Sequence, residues 1–167
     1  MKINFFIQSV LKEFIVWVNP TAQNYFDRAV LKDQFRNYLG AISDYTKAIE
    51  IDTNFVYAYS NRGLAKSKLH DYSGAIADYN KAIGIDPMYI LAYLNRGNVK
   101  SDLRRYFGAI TDYSKAIKIN PEFGEAYFNR GLAKIELGQK DSASLDFSKA
   151  GELGLSMPCI AKTKYCQ

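Results

Sequence analysis

Residues 57–87 read YAYSNRGLAKSKLHDYSGAIADYNKAIGIDP, and the fold follows from how this stretch is read. Slid forward, it recurs as AYLNRGNVKSDLRRYFGAITDYSKAIKINP at residues 92–121 and as AYFNRGLAKIELGQKDSASLDFSKA at 126–150. Gly63, Gly97 and Gly131 stand at intervals of 34, and a looser upstream copy carries Ala29 at the glycine position. One fixed period repeated four times is the signature of stacked units, each too small to bury its apolar side alone.

With the glycine set as position 8, the copies begin at Ala22, Val56, Ile90 and Gly124. Small residues recur at positions 8, 20 and 27: Ala29, Ala41, Ala48; Gly63, Ala75, Ala82; Gly97, Ala109, Ala116; Gly131, Ala143, Ala150. Large rings recur at 4, 17 and 24, from Tyr25, Tyr38 and Tyr45 to Tyr127 and Phe147, and only Lys140 breaks these columns. Positions 4 and 8, or 20 and 24, are one helical turn apart. Each half of a copy therefore sets a bulky ring beside a small hole, and two such helices can approach closely. The turn between halves falls near positions 15–16, where only the fourth copy has the Gly (Gly138) that favours a left-handed helix end. Asp86-Pro87 and Asn120-Pro121 stop the second helix of the middle copies, while the first copy has Asp52-Thr53.

This pattern resembles the tetratricopeptide repeat, over residues 22–157 in four copies (22–55, 56–89, 90–123, 124–157). The resemblance implies an all-α, right-handed solenoid of antiparallel helix pairs with a concave groove that recognises protein or peptide and does no chemistry. In that family the first helix of each pair lines the groove through positions 2, 5, 6, 9, 12 and 13. Carried over, the candidate groove residues are Tyr57, Ser60, Asn61, Leu64, Leu91, Leu94, Asn95, Asn98, Phe128 and Asn129. Asparagine offers both a donor and an acceptor, so the row Asn61, Asn95, Asn129 could bond an extended peptide backbone whatever its sequence. The alternative is that the recurring Asn-Arg-Gly triplet is only a favoured way to write this helix. The family's clamp for a free C-terminal carboxylate needs cations at positions 5, 2 and 6, and those positions here hold Phe26, Ser60, Leu91, Glu125, Asn95 and Asn129. That clamp is not expected.

Two charged columns face each other in the pattern: Arg28, Arg62, Arg96, Arg130 at position 7 and Asp44, Asp78, Asp112, Asp146 at position 23. Four arginines in line suit phosphates, but four matching aspartates predict Arg–Asp pairs between neighbouring helices. The lysines at position 26 (Lys47, Lys81, Lys115, Lys149) read as a solvated face. Net charge is +5, spread as +1 over residues 1–21, then −1, +1, +3 and −1 over the copies and +2 over the last ten residues. Nucleic-acid readers concentrate basic charge on one face. Here only the third copy leans that way, through Lys100, Arg104, Arg105 and Lys118, so RNA binding is a minor alternative.

Ahead of the copies, MKINFFIQSVLKEFIVWV (1–18) spaces Ile3, Phe6/Ile7, Val10/Leu11, Phe14 and Val18 as an amphipathic helix, with Lys2, Gln8, Lys12 and Glu13 opposite. Asn19-Pro20 ends it. The charges and polar residues within the run argue against a signal peptide or membrane span, and the expected location is cytoplasmic. Segment 1–21 is expected to cap the first copy with its apolar side; dimerisation through it and membrane-surface contact are the alternatives. Residues 158–167 are expected to form a tail or short capping helix containing Cys159 and Cys166. With two cysteines and one histidine no four-ligand zinc set can form. No nucleophile elbow, phosphate loop or dinucleotide loop is present, and His70 falls in a turn. No catalytic residue, metal or cofactor is expected. The leading reading is a non-catalytic adaptor or scaffold binding a protein or extended peptide segment; the alternative is a self-assembling protein using its N-terminal helix or array ends.

Overall fold

The computed structural model describes residues 2–155, except for the side chains of residues 2–9. The expected C-terminal cap, residues 158–167, lies outside the described residues. Those described form nine helices and no strand. The chain divides after Pro87 into two compact units. The first contains α1 (Lys2–Val18), α2 (Ala22–Gln34), α3 (Tyr38–Ile51), α4 (Val56–Lys68) and α5 (Tyr72–Ile85). The second contains α6 (Ile90–Asp102), α7 (Tyr106–Ile119), α8 (Gly124–Glu136) and α9 (Lys140–Glu152). Helices pack in sequence as α2 on α3 and α4 on α5, then α6 on α7 and α8 on α9, with α2 also touching α4 and α6 touching α8.

The ring-and-hole pattern explains the close pairing. The ring at position 24 of each second helix sits over the small residue at position 8 of the first. A methyl added at Gly97 would lie 2.6 Å from the Tyr113 ring, and one at Gly131 would lie 2.6 Å from Phe147. At Gly63 it would meet Tyr79 at 2.9 Å and the Ala75 carbonyl oxygen at 3.2 Å. The alanines of positions 20 and 27 are fully buried in every copy, as are Tyr45, Tyr79 and Phe147.

The turns all use one closure. Arg36, His70, Arg104 and Gly138 adopt left-handed φ values of 59°, 61°, 56° and 73°. In each, the amide after this residue bonds the carbonyl five residues back: Asn37 to Lys32, Asp71 to Lys66, Arg105 to Lys100 and Gln139 to Lys134. This is the Schellman ending, and three of the four copies pay its steric cost without glycine. Asn37 and Asp71 then cap the next helix by accepting from the amides of Gly40 and Gly74. The second helices end at Asp52, Asp86 and Asn120 in the same extended conformation, with or without proline after them.

Helix α1 forms and ends as expected, but it meets α2 with the opposite side from the one anticipated. Lys12 bonds Asp27 at 2.6 Å and Glu13 bonds Arg28 at 2.7 Å, while Val16 is buried beside them. Phe14 and Trp17 stay 59% and 81% exposed, in company with Val10, Leu11 and Val18. Helix α2 offers Asp27 to Lys12 and Arg28 and Lys32 to Glu13, which draws the charged residues of α1 inward, and the apolar residues from Val10 onward turn out. Among the described residues, no helix is long and apolar enough to cross a membrane.

A paired substitution tests the ring-and-hole contact. Gly84 faces open space, so Gly84→Ala should gain about 0.5–1 kcal/mol from helix propensity. Gly97→Ala gains the same propensity but overpacks Tyr113, a cost of about 1–3 kcal/mol. Urea unfolding should therefore show the midpoint rising for the first and falling for the second. Equal shifts would refute the contact as the determinant of helix spacing.

Candidate functional site

The candidate groove residues lie on first helices of the pairs: α4 in the first unit, α6 and α8 in the second. Tyr57 and Leu91 project from the first turns of α4 and α6 and are about half exposed. Asn61, Leu64, Asn95, Asn98, Phe128 and Asn129 keep part of their surface. Ser60 and Leu94 do not: at 2% and 3% exposure they are packing residues, and the candidate surface loses them. The physical reason is their place at position 5, which in α4 and α6 turns toward the helix packing. Phe128, at the same position in α8, lies half-buried with its ring 5.7 Å from that of Phe147.

In the second unit the structure brings two expected residues together. Asn98 Oδ1 accepts from Tyr113 Oη at 2.8 Å and from Asn129 Nδ2 at 3.1 Å. Part of the hydrogen-bonding capacity of the asparagine row is thus spent inside the fold, while Asn129 keeps its carbonyl oxygen outside that bond. Beside this pair is a cavity of about 250 Å³ lined by Asn98, Ser101, Asp102, Tyr113, Asn129 and Leu132. Ser101 and Asp102 occupy positions 12 and 13, so their place on the groove was readable; the contribution of Tyr113, a ring from the second helix, was not. Burial, with the nearby charges of Asp102, Asp112 and Glu125, pushes the Tyr113 hydroxyl well above its ordinary pKa.

The charged columns are not a ligand site. Each arginine of position 7 grips the aspartate of position 23 through two nitrogens: Arg28–Asp44, Arg62–Asp78, Arg96–Asp112 and Arg130–Asp146, at 2.6–2.9 Å. The same guanidiniums lie 5.4–5.6 Å over the position-4 rings of Tyr25, Tyr59, Tyr93 and Tyr127. A further column escaped the sequence reading: Lys32, Lys66, Lys100 and Lys134, at position 11, each bond the same aspartate at 2.7–2.8 Å. Each buried carboxylate thereby holds two cations. Lys100, one of four residues considered for RNA, is committed to Asp112. His70 lies in its turn beside Tyr72, with Nδ1 2.9 Å from the hydroxyl. Among the described residues, no group of three or more potential metal ligands forms.

Sequence profiles described as TPR repeat match residues 68–104 and 102–138, and one described as tetratricopeptide repeat matches 124–153. Together these cover about half of the chain. The chain belongs to the tetratricopeptide-repeat family. A search of curated proteins returned no match. Among solved structures, this tetratricopeptide-repeat chain is similar to the crystal structure of MamA, with a TM-score of 0.85 and 27% identity over 92% of this chain and 90% of that one. It is also similar to the first TPR of Spaghetti (RPAP3) bound to HSP90 peptide SRMEEVD, with a TM-score of 0.68 and 25% identity over 70% and 93% of the two chains. The Arabidopsis OM64 TPR domain gives 0.67 and 25%, over 68% and 94%. The family's fold is a protein-interaction scaffold, and the aspartate columns serve that scaffold.

Their pH dependence has a definite sign. Burial alone would raise the Asp44 carboxyl, but hydrogen bonds and charge from Arg28 and Lys32 outweigh it and hold it below its ordinary 3.8. A depressed folded pKa means the contribution is complete above pH 5 and is lost as pH falls through 3.8 and below. Asp44→Asn should cost about 3 kcal/mol at pH 7, because two cations lose their partner. The gap between variant and parent should narrow steadily as pH falls below 3.8. Urea titrations across this range check it; a gap independent of pH would contradict the assignment.

Proposed function

We propose that the protein is a non-catalytic adaptor that binds a protein or extended peptide segment along the first-helix face. The observation that carries this is that the first helices of each unit bear partly exposed asparagines with apolar residues near them in sequence: Asn61 with Tyr57 and Leu64 on α4 in the first unit, and Asn95 and Asn129 with Leu91 and Phe128 on α6 and α8 in the second. Asparagine can bond a peptide backbone independently of its sequence, and the apolar groups supply contact area. The similar RPAP3 structure holds a peptide, which supports the class of ligand. The positions that would supply a carboxylate clamp lack cations here, so the ligand is not a free acidic C-terminus.

Peptides selected from an unbiased displayed library on the intact protein test this reading. Asn95→Ala with Asn129→Ala should weaken a selected peptide at least tenfold while leaving helicity by circular dichroism unchanged. Parent-like binding by the double variant, or a library that yields no peptide, counts against groove recognition.

A second reading, self-association, is favoured by the outward stripe of α1. Monomeric proteins rarely leave contiguous apolar surface of this kind uncovered. Lys12 and Glu13 are committed to α2, so no free cation among the described side chains of α1 accompanies the stripe toward an anionic bilayer. A second copy presenting the same stripe is self-complementary about a two-fold axis. Light scattering from about 5 to 200 µM should show a dimer that Phe14→Gln with Trp17→Gln converts to monomer. A parent protein monomeric throughout would end this reading.

A further inference from the structure

The cavity of about 250 Å³ between α6 and α8 has a lining that the first unit does not reproduce. Tyr113 Oη donates to Asn98 Oδ1 at 2.8 Å, and Asn129 Nδ2 donates to the same oxygen at 3.1 Å. Tyr113 is only 2% exposed, so it acts from beneath by fixing the Asn98 amide. Asn98 in turn holds the amide of Asn129, whose own oxygen stays outside that bond. One helical turn beyond Asn98 stands Asp102, and Leu132 stands on α8 three residues beyond Asn129; both are exposed and both line the cavity. The register of the first unit places Val30 and Gln34 where the second has Asn98 and Asp102. Neither the amide link nor the carboxylate is therefore a requirement of the repeat.

We propose that this cavity is a subsite for a cationic side chain, lysine or arginine, of the segment bound on the first helices. It rests on the groove reading and deepens it. Asp102 supplies the charge. Among the described residues it enters no salt bridge, although Arg104 and Arg105 follow it, whereas Asp112 and Asp146 are each held by an arginine and a lysine. Asp102 is also the last residue of α6, where the partial negative charge of the terminal carbonyls favours a cation. An ammonium carries three donors and no acceptor, and a guanidinium five. The lining answers with the Asp102 carboxylate, the Asn129 side-chain oxygen and the Ser101 hydroxyl. Leu132, 40% exposed, gives the methylene stem an apolar wall.

Other side chains fit the lining less well. An acidic one would meet Asp102, and the other charged groove residues of α6 and α8 are Glu125 and Glu136, with no lysine or arginine among them. A purely apolar one fills the volume but strips water from the polar groups without replacing their bonds.

The test titrates the full ¹⁵N-labelled chain with capped Gly-Gly-Lys-Gly-Gly and, separately, with the norleucine and glutamate peptides of the same frame. The lysine peptide should shift the Asn98 and Asn129 side-chain amides saturably, with an affinity at least fivefold above that of either other peptide. Asp102→Asn should weaken the lysine peptide at least fivefold. Asp141→Asn removes the same charge from an exposed position on α9 and should change the affinity less than twofold, which separates the subsite from general attraction of a cation. No saturable response to the lysine peptide up to about 20 mM overturns the subsite. So do equal affinities for the lysine and norleucine peptides, parent-like binding by Asp102→Asn, or equal losses in the two variants. Library-selected peptides that bind the first helices without enriched lysine or arginine also overturn it and leave groove recognition standing. A library yielding no peptide removes the groove reading, and the subsite falls with it.

Discussion

The close approach of two helices, set by a ring lying on a glycine, is the constraint on which the rest depends. At Gly97 and Gly131 even one methyl would intrude on the opposing ring. That proximity brings the position-23 aspartate within reach of position 7 and position 11 at once. A carboxylate buried in a helix interface would be costly alone. Held by a planar guanidinium and an ammonium, it becomes a three-part joint repeated once per copy. The arginine is further placed by the tyrosine face one turn before it, so the rings of positions 4 and 24 have separate duties: one orients a cation, the other sets spacing.

This joint shapes what is left for function. Eight cations, four arginines and four lysines, are consumed by four aspartates. A chain with positive net charge therefore presents much less basic surface than its composition suggests. The groove positions of the second unit carry Asp102, Glu125 and Glu136 and no cation. The polarity of the surface is decided by which charges the packing takes, since composition alone counts paired and unpaired residues alike.

Helix α1 shows the same logic in reverse. An amphipathic pattern ordinarily directs its apolar stripe to the nearest core. Here the neighbouring α2 offers Asp27, Arg28 and Lys32 to Lys12 and Glu13, and the helix settles with its charges inward. The pattern identified a helix and its end at Asn19-Pro20; the face it buries depended on the partner's chemistry. The turns behave similarly. Position 15 carries glycine only at Gly138, yet Arg36, His70 and Arg104 take the same left-handed conformation, because two backbone bonds at each helix end outweigh the steric cost of a side chain.

The sequence by itself determined the helix pairs, their period and the Arg–Asp columns, because these arise from local spacing and from a residue type repeated at one position. It also carried the lysine column at position 11, legible in principle but visible as part of the joint only once Asp112 was seen to hold both Arg96 and Lys100. Ten groove residues could be nominated from their positions, yet burial removed Ser60 and Leu94, and Asn98 and Asn129 proved to bond each other. Those outcomes belong to the tertiary structure. Which side of a helix is reachable, and whether a buried hydroxyl such as Tyr45 or Tyr113 finds an acceptor, depends on residues some fifteen to thirty positions away that only packing brings together.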